Sequence, residues 1–192
     1  KCVKNAKEQE CIRNAHLKDG VAMTKFMYWL KENVGKVEMS EISVAEKVLE
    51  FRKAQKDFVE ESFTTICGYG AHGAVIHYHA TEETNAKIDA EGLLLVDSGA
   101  QYLDGTTDIT RTFAMGPVTE EEKKNFTTVL KGNLRLGNVT FKEGCTGENL
   151  DMVSRGPLWE AGLDYNHGTG HGIGFVLNVH ETPARINWKG RP

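Results

Sequence analysis

At 192 residues, with 40% hydrophobic and 26% charged side chains, the chain can bury one substantial core and needs no covalent staples to do so. A net charge of -4 and a pI near 6.0 argue against nucleic acid as a partner. Cys2, Cys11, Cys67 and Cys145 form no CxxC pair, no run approaches the ~20 apolar residues of a bilayer span, and the opening KCVKNAKEQE is too polar for a signal peptide; free thiols, no membrane and a cytoplasmic setting are expected.

From Lys7 to about Lys31, the residues Ile12, Leu17, Val21, Phe26 and Leu30 recur at roughly helical spacing and predict an amphipathic helix. After a break at Gly35, Ser43-Val44-Ala45-Glu46 has the S-x-x-E form, in which hydroxyl and carboxylate satisfy backbone donors at a helix start; a second helix is expected to run to about Lys56. Beyond Phe63, β-branched and aromatic residues lie among Gly68, Gly70, Gly73 and Gly92. There LLLVDS and TDITRTF read as strands, with Asp104-Gly105 as a turn between them. Thr119 and Glu122 form another capping box for a helix to about Arg135, whose partner begins near Thr146 and has its far boundary blurred by Pro157. The glycine-rich HGTGHGIGFVLNVHE follows. Two helices and then strands thus occur twice, which predicts an α+β fold, and the absence of a Pro/Ser-rich linker predicts one domain.

The candidate chemistry lies in the second half. Asp97 ends the apolar run LLLV, and Asp108 reads as lying inside the next strand, among Thr106, Thr107 and Thr110. A lone aspartate is more often a cap or turn residue. Two at strand positions, joined by a hairpin across residues 99 to 105, would bring like charges to one point, where a divalent cation relieves the repulsion. Carboxylates suit Mg, Ca, Mn or Zn, and an added imidazole shifts the preference towards Mn, Co or Zn. His167 and His171 have H-x-x-x-H spacing, but Gly168 and Gly170 between them favour a tight loop over a zincin-like helix face. Gly172 and Gly174 permit close backbone approach, setting His171 against the carboxylates and leaving His167 to substrate; the same glycines fit a plain tight turn equally well. His77 ends the strand-like GAVIH and His180 follows the strand-like FVLNV, so each alone reads as a sheet histidine. Joined with Asp97, Asp108 and His171, they describe a pocket rich in metal ligands and proton carriers. His16, His72 and His79 read as surface or structural residues. Glu181 either closes a metal shell or occupies a turn before Pro183.

With these residues in place, the chain resembles the pita-bread metallopeptidases, most closely the cytosolic-type Xaa-Pro aminopeptidases. LLLVDSGAQY is similar to the family's first-ligand segment, TTDITRTFAMGP to its second, and HGTGHGIGFVLNVHE to its histidine segment, all in consistent order from Gly68 to Pro183. The resemblance implies a mainly antiparallel, curved sheet with two helix pairs. It also implies that Asp97, Asp108 and His171 are metal ligands, that His167 binds the peptide, and that His77 and His180 bind it and stabilise charge near the scissile carbonyl. The implied cofactor is two divalent ions, manganese first and zinc or cobalt as alternatives. The implied reaction is hydrolysis of the first bond of peptides with proline second, since two cations lower the pKa of bound water and stabilise a developing oxyanion.

Two further glutamates of the family pattern, one terminal and one bridging, have no counterpart before Pro192, and the family's amino-terminal domain has none after Lys1. The expectation is a partial catalytic domain truncated at its carboxyl end, inactive or nearly so alone, with a bare sheet edge that a homodimer or another segment would cover. A prolidase-type dipeptidase is the nearest enzyme alternative. A non-catalytic pita-bread binding module is the alternative of a different class, and creatinase-like chemistry is disfavoured by the retained aspartates.

Overall fold

The structure, a computed structural model, describes residues 2–189. The chain divides into two compact units, one of Val3–Val118 with Ile173–Val179, the other of Thr119–Gly172 with the segment from His180 onward.

In the first unit, helix α1 (Ala6–Asn33) starts at a capping box: Asn5 Oδ1 accepts from the Glu8 amide at 2.9 Å, and Glu8 Oε2 accepts from the Asn5 amide at 2.8 Å. Its buried stripe is Ala15, Asp19, Ala22, Met23, Phe26 and Leu30. Leu17 and Val21, expected in that stripe, are 69% and 42% exposed. The small Ala15 takes the inward position because Gly105 approaches so closely that a Cβ built there would lie 3.2 Å from the Ala15 Cβ. Helix α2 (Glu41–Lys53) is capped by Ser40, not Ser43; the Ser43 hydroxyl reaches back to the Ser40 amide at 2.8 Å and fills the role expected of a glutamate. The helix therefore both starts and stops earlier than predicted.

Strands β1 (Phe58–Glu61) and β2 (Ile66–Tyr69) follow, then β3 (Leu93–Ser98), β4 (Ala100–Tyr102), β5 (Gly105–Thr106) and β6 (Ile109–Ala114). They form two antiparallel sheets, ordered β1-β4-β5 and β2-β3-β6. The predicted pairing of LLLVDS with TDITRTF is present without slippage, from Leu93 opposite Ala114 to Ser98 opposite Ile109. Its connection is longer than a simple hairpin, because residues 99–108 contain the small β4–β5 pair, with Tyr102 opposite Gly105. Asp108 accordingly lies just ahead of β6, not inside it.

Leu94 and Val96 point into a core shared with Met23, Phe26, Leu30, Val44, Val48, Phe113 and Met115. The Phe26 and Phe113 rings meet edge-on at 5.9 Å. Each such side chain contributes about 1.5–3 kcal/mol by leaving water, so α1 and α2 are held to the β2-β3-β6 sheet mainly by this cluster. Buried Asp19 on α1 is also paired: Arg52 donates to both carboxylate oxygens at 2.7 and 3.0 Å, and the Tyr102 hydroxyl donates to Oδ1 at 3.0 Å.

The second unit opens with α3 (Glu120–Gly137), capped by Thr119 and Glu122 as predicted. Helix α4 (Gly147–Glu160) follows Thr146 and carries Pro157 within its length, so the proline does not end the helix. Strands β7 (Gly170–Gly172) and β8 (Glu181–Ile186) pair antiparallel. Glu181 thus opens a strand instead of forming a turn.

Two apolar runs read as strands are not strands. GAVIH leaves a 3-10 turn (Gly70–Ala74) and ends in a bend where His77 adopts a left-handed φ of +55°. FVLNV is a loop: the Leu177 carbonyl accepts from Gln101 Nε2 at 2.9 Å, and its amide reaches the Thr106 hydroxyl at 3.3 Å, so side chains satisfy backbone groups that a ladder would otherwise hold. The α+β class, the antiparallel strands and the two helix pairs agree with the sequence reading, as do Cys11, Cys67 and Cys145, which are free thiols. No helix among the described residues is long and apolar enough to cross a membrane.

Candidate functional site

Asp97 and Asp108 sit at the same end of the β3–β6 ladder. Asp97 is opposite Thr110, and Asp108 lies two positions before Thr110, one step past the final pair. Both are half-buried. The Thr110 hydroxyl donates to Asp97 Oδ1 at 2.6 Å, which fixes one carboxylate oxygen. The β6 strand thus supplies the hydroxyl that orients the acid on β3, and Asp108 directly precedes that strand.

In the second unit, His171 lies in β7 opposite Arg185, and His180 directly precedes β8. Their rings approach to 4.1 Å between centroids, edge to face. The His171 Nδ1 lies 2.9 Å from the Gly172 carbonyl, and the His167 Nδ1 lies 2.8 Å from the Gly168 carbonyl. A carbonyl can only accept, so in both contacts Nδ1 is the donor and Nε2 faces away from that bond. His167 also packs against Tyr165, with ring centroids 4.8 Å apart. The expected close backbone approach at the glycines is present: a Cβ on Gly172 would come within 3.0 Å of the Glu181 carbonyl oxygen, and one on Gly174 within 2.6 Å of the Asn178 carbonyl oxygen.

His77 is exposed in the first unit, on the loop after the 3-10 turn. What anchors that loop is Glu41, a residue that no sequence motif marks out. The fully buried Glu41 carboxylate accepts from the Tyr69 amide, His72 Nδ1 and the Tyr78 hydroxyl, each at 2.8 Å, and from the Ala86 amide at 3.0 Å. Burial alone would raise its pKa; the four donors outweigh that and hold it below the ordinary 4.5. His72, stacked 4.5 Å from the Tyr78 ring, is a structural histidine as expected. Burial, reinforced by the Glu41 charge, pushes the Cys67 thiol up and removes it as a nucleophile. His16 bonds its own helix, with Nδ1 2.9 Å from the Ile12 carbonyl, and His79 is exposed.

Two helix pairs with antiparallel strands make up an α+β architecture of the pita-bread class, in which one unit carries Asp97 and Asp108 and the other carries His167 and His171. Residues 10–192 match the model of metallopeptidase family M24, and the chain belongs to that family. It is 47% identical over 190 residues to aminopeptidase P2 of Arabidopsis thaliana, with 98% of this chain and 27% of that protein covered. Among solved structures it is similar to the X-prolyl aminopeptidase of Caenorhabditis elegans, a cytosolic enzyme with a di-nuclear active site, at a TM-score of 0.94 and 42% identity over 99% of this chain and 31% of the other. It is also similar to the prolidase of Pyrococcus furiosus, at a TM-score of 0.82 and 27% identity over 97% and 52% of the two chains. The chain therefore spans less than a third of the Arabidopsis relative's length.

Proposed function

We propose that residues 1–192 form part of one pita-bread catalytic domain that hydrolyses the amino-terminal Xaa-Pro bond of peptides. The observation that carries this reading is the 42% identity to the Caenorhabditis elegans X-prolyl aminopeptidase, sustained over 99% of this chain. A carboxylate oriented by Thr110, as at Asp97, and an imidazole, as at His171, are ligand types that divalent transition metals take. Asp97, Asp108 and His171 would hold the metal, two ions in all and manganese by preference over zinc or cobalt. When bound, such ions lower the pKa of water and stabilise charge on a carbonyl oxygen. His77 and His180 would hold the scissile carbonyl, and His167 would orient the peptide. A proline amide offers no N-H, so recognition falls to these imidazoles and to the shape of the site. The cytosol as location and a homodimer as assembly complete the reading.

The test is hydrolysis of Arg-Pro-Pro and of the dipeptide Arg-Pro by the complete catalytic domain, of which residues 1–192 are part, supplied with manganese, beside Asp108→Asn. Cleavage of the tripeptide, lost in the variant, supports the proposal; an inactive wild type or an unaffected variant removes it. Preference for the dipeptide would favour a prolidase-type activity, the second reading that the Pyrococcus furiosus structure supports. Peptide binding without turnover would favour a binding module.

A further inference from the structure

We propose that Asp151 and Arg155 are positioning residues for the histidine loop: together they grip residues 165, 167 and 169 and so set the backbone that carries His167 and His171. The inference rests on the reading of those histidines as substrate- and metal-binding groups. Arg155 and Asp151 stand one turn apart on α4 with no exposed side-chain surface, and Arg155 Nε donates to Asp151 Oδ2 at 2.7 Å. The rest of the guanidinium faces the loop. Nη1 donates to Asp164 Oδ1 and to the Tyr165 carbonyl, each at 2.6 Å, and Nη2 donates to the His167 carbonyl at 2.6 Å. The Thr169 hydroxyl donates to Asp151 Oδ1 at 2.6 Å, its amide bonds the Ile186 carbonyl in β8 at 2.9 Å, and the Tyr165 hydroxyl meets the Thr169 hydroxyl. The Tyr165 ring lies 3.8 Å from the guanidinium carbon. Every second residue of the loop is therefore caught from one helical turn.

Stability alone explains this arrangement poorly, because well-packed apolar side chains usually hold an interior at least as well as a buried ion pair. What an apolar side chain lacks is direction. The flat five-donor fork reaches several acceptors at fixed angles, which a lysine ammonium cannot do. The carbonyl of His167 is one of those acceptors, and the loop runs directly on to His171.

The experiment, on the complete catalytic domain, compares wild type with Arg155→Lys, and with Thr169→Val should the lysine variant fail to fold, well below the melting temperature of each. Hydrogen exchange is read by mass spectrometry across residues 119–172, manganese affinity by calorimetry, and kcat and KM on Arg-Pro-Pro. Exchange in residues 165–172 is expected to rise by about tenfold or more while α3 stays protected, with metal affinity or kcat falling by about 10- to 100-fold. Unchanged exchange at 165–172, or an equal rise throughout α3 and α4, would overturn the positioning role. A wild type that neither binds manganese nor cleaves the peptide would remove the assigned roles of the histidines, while the exchange comparison would still decide whether the helix grips the loop.

Discussion

Glu41, on the first turn of α2, accepts a hydrogen bond from the hydroxyl of Tyr78, 37 positions later in the chain, at 2.8 Å with both groups buried. Three more donors converge on the same carboxylate, so one helical residue ties down both sides of the loop that carries His77. A glutamine at this position has one acceptor oxygen and turns an NH2 group towards donors. Glu41→Gln is expected to lower unfolding free energy by about 2–3 kcal/mol, measured by urea denaturation, with Tyr78→Phe losing about 1.5 kcal/mol or more. If the pair acts as one unit, the double variant will lose less than the sum of the two.

Acid should expose the same carboxylate. Because its folded pKa lies below the ordinary 4.5, its stabilising contribution is complete above that value and is lost as the pH falls below it. The urea midpoint of the wild type is expected to fall more steeply from about pH 5 to about pH 3 than that of Glu41→Gln, which has no such proton to take up. Parallel pH profiles would show that other carboxylates dominate acid unfolding.

The Asp19–Arg52 pair is sealed, with side chains 0% and 1% exposed. Removing one partner strands a charge in the core, so Asp19→Ala is expected to cost about 3–5 kcal/mol. Replacing both, as Asp19→Leu with Arg52→Met, should recover much of that loss, as read from the denaturation midpoints. The Tyr102 hydroxyl, which donates to Asp19, would keep the double variant below the wild type.

Thr110→Val preserves the β-branched shape that suits β6 and deletes the hydroxyl that orients Asp97. Its far-UV circular dichroism should match the wild type. Manganese affinity, titrated calorimetrically, is expected to fall by about tenfold. Equal affinity would mean that Asp97 either needs no such orientation or is not a ligand.

The helix pairs and the β3–β6 pairing were legible because they follow from local patterns: the Thr119–Glu122 box and the alternation of Leu94, Val96 and Ser98 each need only neighbouring residues. FVLNV misled because a short apolar run looks the same whether a ladder or a side chain satisfies its backbone, and only Thr106 and Gln101, some 70 positions earlier, decide between them. His77 misled for a related reason, since its left-handed φ directly precedes Tyr78, whose bond to the distant Glu41 no local pattern announces. The buried charges Asp19, Glu41, Asp151 and Arg155 resemble ordinary helical surface residues in sequence. Asp19 does carry a signal, a polar residue in register with Ala15, Ala22 and Phe26 on the inward stripe, and a search for such intruders would have found it. The candidate ligands were legible by type, whereas the second layer that orients them lies in tertiary contacts alone.

The anchors of the histidine loop differ by four positions on one helix, so they behave like two teeth of a single gear. Adding one residue between 151 and 155 would swing the second tooth through about 100° and disengage it, whereas exchanging outward-facing residues of the same turn would leave the mesh intact. The spacing of this short stretch is therefore held to a whole turn by geometry, while its solvent-facing composition is free to drift.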